Sequence, residues 1–303
     1  MHARHEYAGV TWVDLESPGA LEVRQVASEF GIAEHIAEEL AMPSSRQRLE
    51  EYPGYTFVVM HFPALKHSHT KRAQEINFVV GPLFLVTARY DTVDSLHKFS
   101  KVFEVNSALG NQPKHQHAGH LFFQTVRKLY ASVEHELDSL RSQLALTEER
   151  IFSEREIEMV AELSKTARSL LNLRQTLEPH REILRMLEGS GMRLYGEDFF
   201  PYLRALSSEY YRVHNHIMRT TDFLHELRET NNSLLTTKQN ETMKVFTIMA
   251  FTTFPLMLMA AVFTMNASGT PIIHGQNGFW IILGVMLATA FCMFLYFRHK
   301  KWL

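Results

Sequence analysis

The chain has 303 residues, room for about two folding units, and carries a formal net charge of −2 at pH 7. With that near-neutral balance and no basic arm interleaved with aromatics, no nucleic-acid partner is expected. The single cysteine, Cys292, lies inside an apolar run, which excludes a disulfide framework and a thiolate zinc cluster. There is no phosphate-binding glycine loop, metal-protease motif or nucleophile elbow, so the sequence reads as neither an ATP-driven pump nor an enzyme.

The N-terminal MHARHEYAGVTW has no apolar signal core, so the bulk of the chain is expected in the cytosol. Val10 to Leu15 is a short β-rich run stopped by Pro18. Ala20 to Met42 has helical apolar spacing whose face changes at Gly31, which fits one helix or two short ones. Tyr55 to Phe62 and Ile76 to Thr87 read as buried strands, the second turned at Gly81-Pro82. A small sheet flanked by helices follows. From His117 the pattern is helical, with one helix over about 117–152 and a second over about 154–188. Gly189-Ser190-Gly191 is expected to break the chain before a third helix starts near Phe200-Pro201.

No Pro or Gly then occurs until Pro255, so 202–263 can form one helix of roughly 90 Å. Leu206, Val213, Ile217, Leu224, Leu227 and Leu234 approximate a heptad stripe along it. Its upper half fits either packing on its own domain or self-association; the part that enters the membrane is expected to self-associate.

Val245 to Phe263 and Phe279 to Phe297 are each nineteen residues without a charge, long enough to cross a hydrocarbon core of about 30 Å. Thr264 to Gly278 is a short connection, so the two spans form a hairpin. Lys238 and Lys244 precede the first span and RHKKW follows the second, while the loop has no Lys or Arg. The positive-inside rule therefore puts both termini in the cytoplasm. The expected divisions are 1–116 (α/β), 117–199 (helical), 200–244 (stalk), 245–263 (first span), 264–278 (outer loop), 279–297 (second span) and 298–303 (basic tail).

Two spans per subunit cannot enclose a polar path, so transport calls for a homo-oligomer. Asn240, Met243, Thr247 and Phe254 recur at spacings of three, four and seven, and Glu229 lies eleven residues before Asn240 on the same helix face. In a ring, Glu229 would be an acidic collar that attracts cations, and Asn240 a carbonyl for a partly hydrated ion. Met243 and Phe246 would be apolar constrictions, and Met257 completes the expected lining.

The run Asn240-Glu241-Thr242-Met243-Lys244-Val245-Phe246-Thr247, Pro255, Thr264-Met265-Asn266 and the final Lys300 to Leu303 resemble the CorA family of divalent-cation channels. Trp12 to Leu15 and Arg48 to Tyr52 are similar to further family signatures, so the resemblance spans the chain. It implies a funnel-shaped homopentamer in a bacterial or archaeal plasma (inner) membrane. An α/β/α cytosolic domain would lead into a pore-lining first span and a lipid-facing second one. It further implies Thr264, Met265 and Asn266 as the selectivity filter, with Asn266 touching the hydration shell of a cation, an arrangement suited to magnesium, which keeps several waters. Asn240 and Glu229 are the other candidate cation contacts, and cobalt and nickel are further candidate substrates. The membrane potential favours divalent uptake by ~4.6 kcal/mol per 100 mV.

Four positions depart from the family pattern. Thr264 replaces a glycine, Phe246 replaces a leucine, and the outer ASGTPIIHGQNG has no acidic residue. Ala205 stands where many magnesium-gated members carry an inter-subunit aspartate, with Glu209 as the nearest acid. Seventeen histidines include His67-x-His69, His115-x-His117-x-x-His120 and an outer-loop His274, spacings that suit zinc. Three functions compete: a passive channel for divalent cations, magnesium first; a zinc transporter of the related ZntB branch, possibly proton-coupled; and a membrane scaffold or weakly selective cation pore.

Overall fold

The computed structural model describes residues 2–7, 9–44, 46–63, 73–91, 117–153, 155–265 and 277–300. Its contacts divide the chain into two units, Met1–Arg228 and Glu229–Leu303.

The first unit is built on a six-stranded sheet of β1 (His2–Tyr7), β2 (Val10–Glu16), β3 (Arg48–Tyr52), β4 (Tyr55–Phe62), β5 (Gln74–Val80) and β6 (Phe84–Arg89). The order is β1-β2-β6-β5-β4-β3; β2 and β6 run parallel, with Thr11 opposite Phe84, and all other pairs are antiparallel. The four central strands are buried on both faces, which explains their continuous apolar runs. The two edge strands, absent from the sequence expectation, are charged: HARHEY and RLEEY carry no apolar run. For β3 there was a signal in Pro53-Gly54. Tyr52 pairs with Tyr55 across this two-residue turn, and Gly54 has φ +91°, an angle that side-chain-bearing residues resist.

Alternation sorts the strand side chains into two layers. Val13, Leu15, Phe57, Val59, Val79, Val86 and Ala88 pack against α1 (Ala20–Phe30) and α2 (Glu34–Leu40). These are two helices because Gly31, at φ +66°, returns its N–H to Ala27 and ends the first. On the opposite face, Phe78 meets Phe122 edge-on at 5.2 Å and Phe62 meets Tyr130 at 5.7 Å. Both partners belong to α3 (Ala118–Phe152), which is followed by α4 (Glu156–Leu177) and α5 (His180–Tyr195). The unit is thus an α/β/α sandwich.

The expected break at Gly189-Ser190-Gly191 does not occur, since α5 runs through it. Glycine is needed there for close packing: a Cβ on Gly191 would lie 2.8 Å from Leu203 Cδ1. The chain breaks at Glu178-Pro179 instead, because proline lacks the amide that would continue α4. His180, just beyond, fixes the new helix. Its Nε2 faces the His61 carbonyl at 2.9 Å and must donate, so Nδ1 accepts from the Tyr130 hydroxyl at 2.8 Å. Burial holds this imidazole neutral, with its pKa pushed down to about 3.

A 65-residue helix, α6 (Phe200–Thr264), follows the 3₁₀ turn Glu197–Phe199. Leu203, Leu206, Tyr210, Val213, Ile217, Thr220, Leu224 and Leu227 alternate by three and four, and all are buried. α3 lies alongside in parallel, tied by Arg127–Glu209 (3.3 Å) and Arg212–Glu134 (2.6 Å). The leucine stripe down to Leu227 is therefore the chain's own core, which settles the open choice for the upper half. Leu234 is half-buried.

In the second unit α6 continues through Pro255 to Thr264, and α7 (Gly278–His299) follows. Both are long and apolar enough to cross a membrane, and their apolar windows are almost wholly exposed within one chain. The two helices touch where the Thr289 hydroxyl approaches Met259 Sδ at 3.9 Å.

Candidate functional site: one exposed line on the long helix

Two residues on from its buried seam, α6 carries a second line with the same three-four alternation. At about 100° per residue it sits roughly opposite the first around the helix. In the first unit it passes through Ser208, Arg212, Asn215, Arg219, Asp222 and Glu226, all exposed. In the second unit it passes through Glu229, Ser233, Thr236, Asn240 and Met243, also exposed, and then Thr247, Ala250, Phe254, Met257, Ala261 and Thr264. Met243 is 57% exposed, Phe254 66% and Met257 65%, an arrangement that only lipid or a second protein surface makes stable for such side chains.

Most of the expected site residues share this line: Glu229, Asn240, Met243, Thr247, Phe254, Met257 and Thr264. Phe246 does not, falling about 100° from Thr247 around the helix. Met265 follows the helix end, is 64% exposed and donates its N–H to the Val262 carbonyl at 3.3 Å. Asn266 lies outside the described residues, as do His67, His69, His115 and His274. Asp222, Glu226, Ser233 and Thr236 also stand on the line and were missed; the signal was the alternation itself, followed only between selected positions.

The chemistry changes along the line. Asp222, Glu226 and Glu229 are carboxylates at spacings of four and three, followed by the neutral oxygens of Ser233, Thr236 and Asn240. Beyond Met243 the line is apolar except for Thr247 and Thr264. Among the described residues no group of three or more His, Cys, Asp or Glu is placed to hold a metal ion within one chain.

Two other candidates change character. Glu209, the acid nearest Ala205, is committed to Arg127 (3.3 Å) and Arg212 (2.6 Å). His117 stacks on Tyr195 (ring centroids 4.4 Å), and His120 lies edge-on to Phe199 (5.1 Å) and Tyr202 (4.5 Å). Both imidazoles belong to an aromatic cluster at the start of α3.

The chain thus combines an α/β unit with a 65-residue helix and two apolar stretches long enough to cross a membrane. The profile of the family described as CorA-like Mg2+ transporter protein matches residues 7–299, and the chain belongs to that family of metal-ion transporters. It is 24% identical over 295 residues to the cobalt/magnesium transport protein CorA of Thermotoga maritima, covering 97% of this chain and 83% of that one. Its fold is similar to the complete structure of the CorA magnesium transporter from Methanocaldococcus jannaschii, with TM-score 0.84 at 16% identity, covering 97% and 92% of the two chains. It is also similar to the full-length CmaX protein, with TM-score 0.74 at 17% identity, covering 97% and 89%.

Proposed function

We propose that this chain assembles as a homopentamer whose exposed α6 line surrounds a central path, and that it conducts divalent cations passively, magnesium first. The observation that carries the reading is the pair of opposed seams on one helix. One is apolar and buried in the chain's own domain; the other is exposed and polar down to Asn240, and continues beyond Met243 as a mainly apolar line along the candidate membrane span. Repetition about an axis would turn each position into a ring. Asp222, Glu226 and Glu229 would concentrate cations at the cytosolic end, and Asn240 would offer amide oxygens. Met243, Phe254 and Met257 would form the narrow apolar stretch.

In this reading 245–263 and 279–297 cross the plasma membrane, 264–278 lies outside, and both termini are cytoplasmic, following the basic residues. Thr264, Met265 and Asn266 form the outer filter, and Phe246 packs beside the path. The zinc alternative drew on the histidines and on the Thr264-Met265-Asn266 signature, and the engagement of His117 and His120 with aromatic rings weakens the part that rests on those two histidines. The scaffold alternative leaves the oxygens of Ser233, Thr236 and Asn240 without a purpose.

Disulfide trapping tests the seam. In a Cys292→Ala background, Ser233→Cys is expected to cross-link subunits on mild oxidation and to stop divalent uptake reversibly. Lys238→Cys, exposed but on the opposite side of the helix from Thr236 and Asn240, is expected to do neither. Equal cross-linking at both positions would contradict the arrangement.

A further inference from the structure

In the first unit the end of α4, the start of α5 and the adjoining stretch of α6 border a cleft of about 870 Å³. Some of its polar groups are committed: Glu182 lies 3.8 Å from Arg185, and Glu188 accepts from the Ser207 hydroxyl at 3.0 Å. Three others are not. The side chains of Glu178 and Arg181 pair neither with each other nor with any other described residue. Tyr210 is only 2% exposed, its ring set among those of Tyr130, Tyr211 and His214. Its hydroxyl nevertheless has no hydrogen-bond partner among the described residues and is not sealed from solvent. Burial raises the pKa of this phenol, so the hydroxyl keeps its proton at neutral pH. More weakly, Arg181 lowers it and Glu178 raises it, so both charges lie within electrostatic reach of the hydroxyl.

We propose that this cleft binds a small zwitterion of the amino-acid class, its carboxylate taken by Arg181 and the Tyr210 hydroxyl and its ammonium by Glu178. The guanidinium fork matches a carboxylate with two parallel hydrogen bonds, and the Tyr210 hydroxyl supplies a third donor. A lone anion in the cleft would meet the repulsion of Glu178, and a lone cation that of Arg181. A molecule that carries both charges meets neither and completes two ion pairs that the chain leaves open. Pro179, Leu184 and Tyr211 also line the cleft and offer apolar surface to the side chain of such a ligand. The volume leaves room for a large one, and an aromatic ring suits the Tyr211 wall.

The test is titration calorimetry on the purified full-length protein with three probes: phenylalanine, N-acetylphenylalanine, which lacks the ammonium, and phenylalaninamide, which lacks the carboxylate. Phenylalanine is expected to bind saturably, and each analogue about tenfold more weakly or worse, the scale of one lost charge-assisted hydrogen bond. Arg181→Gln, Glu178→Gln and Tyr210→Phe are each expected to weaken phenylalanine by a similar factor, with a thermal melt showing that each variant is folded. Tyr210→Phe keeps the ring that packs in the wall and removes only the hydroxyl. Arg168→Gln, exposed on α4 and outside the cleft, is the control and is expected to bind as the unaltered protein does. No binding at millimolar phenylalanine would overturn the inference. So would either analogue binding as tightly as phenylalanine, or binding that all three cleft variants leave unchanged. The channel reading stands or falls separately, on ion flux.

Discussion

Asn266→Ala is expected to lower magnesium uptake into liposomes by more than about tenfold, equivalent to about 1.4 kcal/mol of lost stabilisation. The expectation follows from the proposed filter, in which a ring of amide oxygens meets the outward hydrogens of the ion's waters. Alanine removes every acceptor from that ring and leaves no polar atom in its place. Asn266→Asp would separate charge from hydrogen bonding: it keeps the oxygens, adds negative charge, and is expected to retain uptake while binding divalents more tightly. Unchanged rate and ion preference in Asn266→Ala would remove that residue as the filter.

The second large effect concerns the head. Arg89, whose side chain is 4% exposed, donates to Asp14 at 3.1 and 3.2 Å and to Glu16 at 3.1 Å across the parallel pair β2–β6. Asp14 also accepts from Thr87 Oγ1 at 2.6 Å, and the Trp12 indole donates to that same hydroxyl at 3.0 Å. Removing the Asp14 carboxylate takes away two of the hydrogen bonds of a buried guanidinium and leaves it Glu16, at 3.1 Å, as its remaining carboxylate partner. Asp14→Leu is expected to destabilise the sandwich by about 3–5 kcal/mol. The double variant Asp14→Leu, Arg89→Met removes that guanidinium as well and is expected to recover much of the loss. Thermal melts of the detergent-solubilised chain, read by hydrogen exchange in β2 and β6, check this. A double variant as unstable as Asp14→Leu alone would contradict the explanation.

That network also explains what the short Trp12 to Leu15 run does. Its apolar members Val13 and Leu15 face α1 and α2, while Trp12 and Asp14 meet β6 on the other side. Alternation exposed the strand, but its partner 73 to 75 residues away could not be read from one sequence. The same limit explains the leucine stripe on α6. Heptad spacing says that a face is buried, not whether a domain or a second copy buries it, and Leu206 to Leu227 went to the domain. The two charged edge strands lacked the apolar pattern by which strands are recognised. Gly189 and Gly191 carried the composition of a breaker, yet Leu203 needs the space left at Gly191 for helix contact. The two long apolar helices were legible because uncharged runs of that length have few other stable solutions. Of the candidate site, Glu229, Asn240 and Thr247 were found by spacing; Asp222, Glu226, Ser233 and Thr236 emerge once the buried seam fixes which side of α6 remains free.

The most direct test of the account is ion flux into liposomes containing the purified protein, comparing magnesium, zinc, cobalt, sodium and potassium, with and without a proton gradient. Saturable magnesium uptake that exceeds sodium and potassium and is indifferent to the proton gradient is the expected result. Uptake of zinc that requires protons, or monovalent flux with no divalent component, would contradict it.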